Sequence, residues 1–164
     1  MAFALEAITS PPESAVSAAF NLLDTPTAQD AALPMRSRLT CQSRLADLVS
    51  RTPSVVFASL ATVDGRSFAH ANAPGRTADA QRAAAIMSSL MGLIESFSRE
   101  ALDSRALYNS IATEHGSIVL VRVPSKARHH TLCVCADASD ILATTIRAAL
   151  DTAAQLAVAI DAGD

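Results

Sequence analysis

Asp64-Gly65 stands between two runs rich in β-branched and small apolar residues, Ser54-Val-Val-Phe-Ala-Ser-Leu-Ala61 and Ser67-Phe-Ala-His-Ala-Asn72. Asp-Gly accepts the positive φ angles of a two-residue turn, which makes this the strongest short-range hairpin signal a sequence offers. It commits the chain to an antiparallel sheet. Upstream, Leu39, Leu45, Leu48 and Val49 give a helical stripe that starts at Met35 and ends at Pro53, with Arg36, Arg38, Arg44 and Arg51 around the rest of the helix. Downstream, Ala73-Pro74-Gly75 breaks the chain, and a long helix runs from Thr77 to about Glu100 with Asp79 in its positive first turn. Strands are predicted at Leu107–Thr113, Ser117–Val123 and His130–Ala136. A last helix, capped by Ser139 or Asp137, reaches about Ile160. The order is helix, two strands, long helix, three strands, helix.

Composition sets the outer limits. The chain has 164 residues, half of them hydrophobic and 18% charged, which fits one folded domain and excludes wholesale disorder. Aromatics are 4% and Trp is absent, so the core comes from Ala, Val, Leu and Ile, which favours helices packed closely on a sheet. A net charge of -3 leaves no global electrostatic footprint for nucleic acid. Among the 13 basic residues only Lys126 is a lysine, a bias that reads as base composition of the gene. Three cysteines, Cys41, Cys133 and Cys135, are too few for a disulfide framework, and a cytoplasmic protein is expected. The first residues lack a basic segment ahead of an apolar run, so no signal peptide is expected, and no apolar run is long enough to span a membrane. Four of the seven prolines fall within residues 1–34, which reads as a partly flexible tail ahead of a domain at 35–164. A short helix at Ala15–Leu23 is expected inside that tail.

The long helix has two packable arcs. At 100° per residue, Ala83, Ile86, Met87, Leu90, Ile94 and Phe97 form an apolar stripe suited to covering a sheet. Ala80, Ala84, Ser88 and Gly92, with Met91 beside them, form a stripe of small residues about a third of a turn away. Small residues at that spacing let another backbone approach closely, and the economical partner is the same helix of a second copy. The strand at Leu107–Thr113 alternates Leu107, Asn109 and Ile111 with Tyr108 and Ser110, which suits a sheet edge that has to be paired or protected.

Catalytic patterns are missing. Cys133 and Cys135 face the same side of one strand, and His70, His129 and His130 could join them, but no spacing supplies the four ligands of a structural zinc. The five glycines make no phosphate-cradling loop, and Ser88-Ser89 lies mid-helix. Asp64, Asp79, Glu95 and Glu114 fall on turns and helix surfaces, with no two placed on one cleft-lining face. A protein without enzymatic activity, cofactor or metal is expected.

Phe57-Ala-Ser-Leu-Ala-Thr-Val-Asp-Gly65, Ala83-Ala-Ala-Ile-Met-Ser-Ser-Leu-Met91, His115-Gly-Ser-Ile-Val-Leu-Val-Arg-Val123 and Thr131-Leu-Cys-Val-Cys135 resemble the bacterial branch of the roadblock / dynein-light-chain family, over residues 54–160. The resemblance implies an α/β (α+β) domain of profilin-like order, with a single five-stranded antiparallel sheet flanked by helices. It also implies a homodimer through the long helix and third strand, here Ala80, Ala84, Ser88, Met91, Gly92, Leu107, Asn109 and Ile111. Members of that family serve as scaffolds and regulators, often of small Ras-like GTPases. Arg82, Ser89, Glu95 and Arg99 would then be candidate partner contacts on the long helix. The segment 1–34 and the first helix depart from the family pattern. An alternative of different class is a small-molecule sensor with a pocket between sheet and helix, which would need polar groups converging on that pocket.

Overall fold

The structure, a computed structural model, describes residues 35–126 and 128–163; the segment 1–34 and its expected helix at Ala15–Leu23 lie outside the described residues. Eight elements follow in the expected order: α1 (Met35–Arg51), β1 (Val55–Thr62), β2 (Ser67–Asn72), α2 (Ala80–Leu102), β3 (Tyr108–Thr113), β4 (Gly116–Val123), β5 (His130–Asp137) and α3 (Leu142–Asp161). The strands form one antiparallel sheet in the order β2-β1-β5-β4-β3. Its central strands β1 and β5 are the most buried, as strands covered on both faces must be.

Side chains alternate between the two faces, and each face has its own cluster. Val119, Val121 and Val123 of β4 point into the larger one, with Leu60, Leu132 and Val134, under α1 and α3. That layer is closed by Leu45 and Leu48 of α1 and Leu156 and Ile160 of α3. Leu120 and Cys133 point the other way, under α2. Two helices therefore share one face, and a single helix covers the other.

The expected caps of α3 are corrected. Asp137 and Ser139 bond each other in a turn, the Ser139 amide donating to Asp137 Oδ1 at 2.9 Å. The residue preceding α3 is Ile141, which has no capping side chain. Asp140 fixes the entry instead, accepting from the Ile141 amide at 2.8 Å and from Ser54 Oγ at 3.1 Å, so the start of α3 is tied to the α1–β1 junction.

Asp79 caps α2, accepting from the Arg82 amide at 3.0 Å. From there the helix runs across the strands. Its first turns meet the β1–β2 turn, where Gly65 has φ +79 and a Cβ would stand 3.2 Å from the Ala85 Cα. The Ser88 hydroxyl donates to the Val63 carbonyl of the same turn. At the far end Glu95, only 12% exposed, accepts from Arg122 of β4 at 3.1 Å, from Arg99 at 3.2 Å and from the Ala106 amide at 3.3 Å. Desolvation pushes the Glu95 carboxyl upward, but Arg122, the Ala106 amide and Arg99 outweigh it and hold the group below its ordinary value. One carboxylate thus ties α2, β4 and the α2–β3 connection together.

A bulge between Leu60 and Ala61 leaves Phe68 as the extra residue of β2. Its ring meets the imidazole of His130 edge-on, with centroids 5.2 Å apart. His130 is 1% exposed; its Nδ1 lies 3.4 Å from the Arg128 carbonyl oxygen and its Nε2 has no partner. Burial pulls this imidazole below its ordinary value, the charges of Arg128 and His129 add to the effect, and the Arg128 carbonyl and Asp64 oppose it.

Two outcomes are expected. The unfolded chain protonates His130 near 6.5 and the folded chain at lower pH, so the stability this residue confers is intact above 6.5 and is lost as pH falls toward the folded value. Thermal melts between pH 7.5 and 5.5 should show that loss, and His130→Leu should flatten it. Gly65→Ala, which puts a Cβ at positive φ against the backbone of α2, should destabilise by roughly 1–2 kcal/mol in a denaturant titration.

Candidate interaction surface

The two arcs of α2 are used in the reverse of the expected way. Ala80, Ala84, Met87 and Met91 are the buried residues of the helix, and Ser88 is half-buried. Ala80, Ala84 and Met91 of the stripe expected to meet a second copy, with Ser88 partly, therefore face this chain's own sheet, and Gly92 does not. The close approach of the β1–β2 turn to the backbone of Ala84 and Ala85 explains the small residue at Ser88, whose Cβ lies beside Gly65. Of the stripe expected to cover the sheet, only Met87 is buried; Ala83, Leu90 and Ile94 are half-buried. Ile86, Leu93 and Phe97 stand outside at 59%, 70% and 72% exposure.

Gly92 lies on the outer side of the helix beside this apolar arc. Among the described residues no atom comes within 4 Å of where its Cβ would be. A helix-interior glycine costs about 0.8–1 kcal/mol relative to alanine, and no described residue requires one here. Ala85, Ser89 and Ser96 are also exposed on this side, so small residues stand next to large apolar ones. Leu102 and Leu107, at 75% and 79% exposure, continue the apolar surface to the start of β3.

The two edges of the sheet differ. On β2, the side-chain amide of Gln42 takes both backbone groups of His70, accepting from its N–H at 3.2 Å and donating to its C=O. Gln81 does the same at the strand's start, accepting from Ser67 N–H at 3.1 Å and donating to the Gly65 C=O at 3.0 Å. These amides occupy the positions a neighbouring strand would take, which blocks addition at that edge. On β3, no described group outside β4 hydrogen-bonds the backbone from Tyr108 to Thr113. Asn109 and Ile111 are half-buried on the α2 side of this open edge.

The candidate partner contacts divide. Arg82 and Ser89 are exposed, and Arg82 has no ion pair among the described residues. Glu95 is committed to Arg122 and the Ala106 amide, which takes it out of the free surface. Arg99 is paired with Glu95 but still 64% exposed.

Cys133 and Cys135 do come together, their sulfurs 3.7 Å apart under α2. The thiol–thiol contact, with burial, pushes Cys133 up, while the same contact draws Cys135 below its ordinary value. Among the described residues no group of three or more His, Cys, Asp or Glu is arranged to hold a metal ion. The space between sheet and α2 is filled by Met87, Met91 and Leu120, and a shallow open groove lies elsewhere, between Gln42 of α1 and His70 of β2. Among the described residues no helix is long and apolar enough to cross a membrane. Sequence reasoning missed Gln42 and Gln81, for which a lone glutamine on a helix offers no signal. It also missed the outward position of Leu93, which the helical wheel did carry.

No family model matches the sequence, and no curated protein does. Solved structures match by fold. An MglB with tetrameric arrangement superposes with a TM-score of 0.70 at 15% identity, over 78% of this chain and 93% of that chain. The gliding protein MglB of Thermus thermophilus gives 0.68 at 13%, over 77% and 92%. A roadblock/LC7 domain from Streptomyces avermitilis gives 0.61 at 18%, over 70% and 92%. Identities this low speak for the path of the backbone, and that path covers more than nine-tenths of each of these chains. The described chain has the fold of the roadblock/LC7 and MglB structures.

Proposed function

We propose that this protein is a non-catalytic, homodimeric regulatory or scaffold subunit that acts in the cytoplasm and binds a small Ras-like GTPase through paired α2 helices. The observation that carries the reading is the outer arc of α2, where Ile86, Leu93 and Phe97 are exposed beside a glycine that no described residue approaches. Exposed apolar surface of this kind marks an interaction site. A twofold axis makes such an arc complementary to itself, and Gly92 lets the two helices approach closely. The unblocked edge at β3 supports the same geometry, since β3 can pair with its own copy and join two sheets into one.

This places the interface on Ile86, Leu93, Phe97 and Gly92, with Leu107, Asn109 and Ile111 at the strand edge. Ala80, Ala84, Ser88 and Met91 then act from beneath, by setting how α2 lies on its sheet. Arg82, Ser89 and the guanidinium of Arg99 remain available on the platform to touch a partner. The sensor alternative gains no support, because the space it needs under α2 is occupied by side chains.

Sedimentation at micromolar concentration should give a dimer. Leu93→Glu and Phe97→Glu should each return a folded monomer, because a charge in the centre of an apolar interface costs several kcal/mol. Gly92→Ala separates the readings further. On an uncovered helix it raises stability by about 0.8–1 kcal/mol, whereas between two packed helices it weakens the dimer. A wild-type monomer would overturn the assembly. For the partner, a candidate GTPase loaded with a GTP analogue should be captured more strongly than its GDP form, and Arg82→Ala should weaken that capture. Equal capture of both forms would reject the GTPase reading and leave the dimer standing.

A further inference from the structure

Helix α1 carries four arginines and one aspartate, in a chain whose overall charge is negative. Arg36, Arg38 and Arg44 are exposed, and none of them takes part in an ion pair among the described residues. The fold adds to this charge. The end of α3 lies against the start of α1, so closely that a Cβ on Gly163 would fall 1.7 Å from Ser37 Oγ. Two residues earlier Asp161 accepts from Ser125 Oγ at 2.6 Å and from the Lys126 amide at 3.0 Å, which brings the β4–β5 connection to the same corner. Lys126, exposed, and Arg128, half-exposed, lie on that connection and add positive charge to it. Asp161 is the acidic member of the corner and is held by these hydrogen bonds.

Two bulky apolar residues stand among the charges. Met35 is 70% exposed and Leu39 is 62% exposed on the first turns of α1, interleaved with Arg36 and Arg38. The buried face of the helix already uses Cys41, Leu45, Leu48 and Val49, so these two side chains are surplus to the core.

We propose that this corner docks on an anionic lipid surface, with α1 lying in the plane of the headgroups. The cations meet the negative surface potential, while Met35 and Leu39 enter the headgroup–acyl boundary, the combination of groups that interfacial helices present. A lipid surface meets both kinds of group at once over the exposed length of the helix, whereas a polyanion that reads charge alone leaves Met35 and Leu39 unused. Because α1 and α2 lie on opposite faces of the sheet, membrane contact leaves the outer arc of α2 and the β3 edge free. The proposal goes beyond the dimer and stands or falls separately from it.

The test is flotation of the full chain with vesicles of phosphatidylcholine alone or mixed with phosphatidylglycerol. Binding is expected only to the mixed vesicles and should fall as salt rises. Arg36→Glu with Arg38→Glu should lower the bound fraction about tenfold or more. Leu39→Ser should lower it too, at unchanged charge. Both variants alter exposed side chains, so circular dichroism and sedimentation should match the unaltered protein. No binding to the mixed vesicles overturns the proposal. So does binding that Leu39→Ser leaves untouched and that a soluble polyanion such as heparin fully displaces, because the corner would then read charge alone.

Discussion

A five-stranded sheet has two faces to close, and here a single 23-residue helix closes one of them while two helices share the other. Much of the rest depends on how α2 does this. It lies low at its first turns, where alanine and serine admit the β1–β2 turn, and fills the middle with Met87 and Met91. At its far end the Glu95 carboxylate anchors it to β4 and to the chain entering β3. Flexible methionine side chains suit the irregular gap between a helix and strands that it crosses. Yet a helix wrapped in apolar residues over more than half its circumference cannot turn all of them toward one sheet. Bringing the small arc down to the sheet lifts Ile86, Leu93 and Phe97 into solvent, so the internal packing and the external surface are set by the same rotation of the helix.

That rotation is what the sequence could not disclose. The order of elements was legible because turn chemistry at Asp64-Gly65, the break at Pro74-Gly75 and the alternation in β4 and β5 are local. Strand ends fell within a residue or two of expectation, whereas α2, expected from Thr77 with Asp79 in its first turn, begins at Ala80 with Asp79 as its cap. Which arc of a helix faces inward is not local. A stripe of alanine, serine and glycine signals a close neighbour without naming it, and here the neighbour along Ala84 and Ser88 is the chain's own hairpin turn. The same holds for Glu95, which the wheel places on a surface but which a long-range pairing with Arg122 draws inward. The caps of α3 went astray for a related reason: Asp137 and Ser139 satisfied each other, and Asp140 was taken up by Ser54.

The edges of the sheet add a constraint of a different kind. Five antiparallel strands that do not close into a barrel leave two rows of unpaired backbone groups, and each row is an invitation to aggregate unless something answers it. At β2 the answer is built from Gln42 and Gln81, whose amides mimic a strand from the helical side. At β3 the chain provides no such substitute among the described residues, although Arg and Gln side chains are available in its composition. Protection of one edge and, among the described residues, exposure of the other is the pattern that the proposed dimer would finish, by pairing β3 with its own copy.

Whole-chain averages conceal how charge is distributed over this frame. A net charge of -3 excluded a global footprint for polyanions, and for the molecule as a whole that inference stands. But electrostatic attraction at a surface falls off within a Debye length, roughly 8 Å at physiological salt. What a partner senses is therefore the local sum. On α1 that sum is positive, because four arginines share the helix with one aspartate, and the β4–β5 connection is folded onto the same end. Arginine-rich composition explains why these residues are arginine and not lysine. It does not explain why they have no ion pair among the described residues when Arg66, Arg99, Arg122 and Arg147 all find carboxylates. The apolar surplus on α2 and the cationic surplus on α1 lie on opposite faces of one sheet, so a single small domain can answer to two surroundings without either contact obstructing the other.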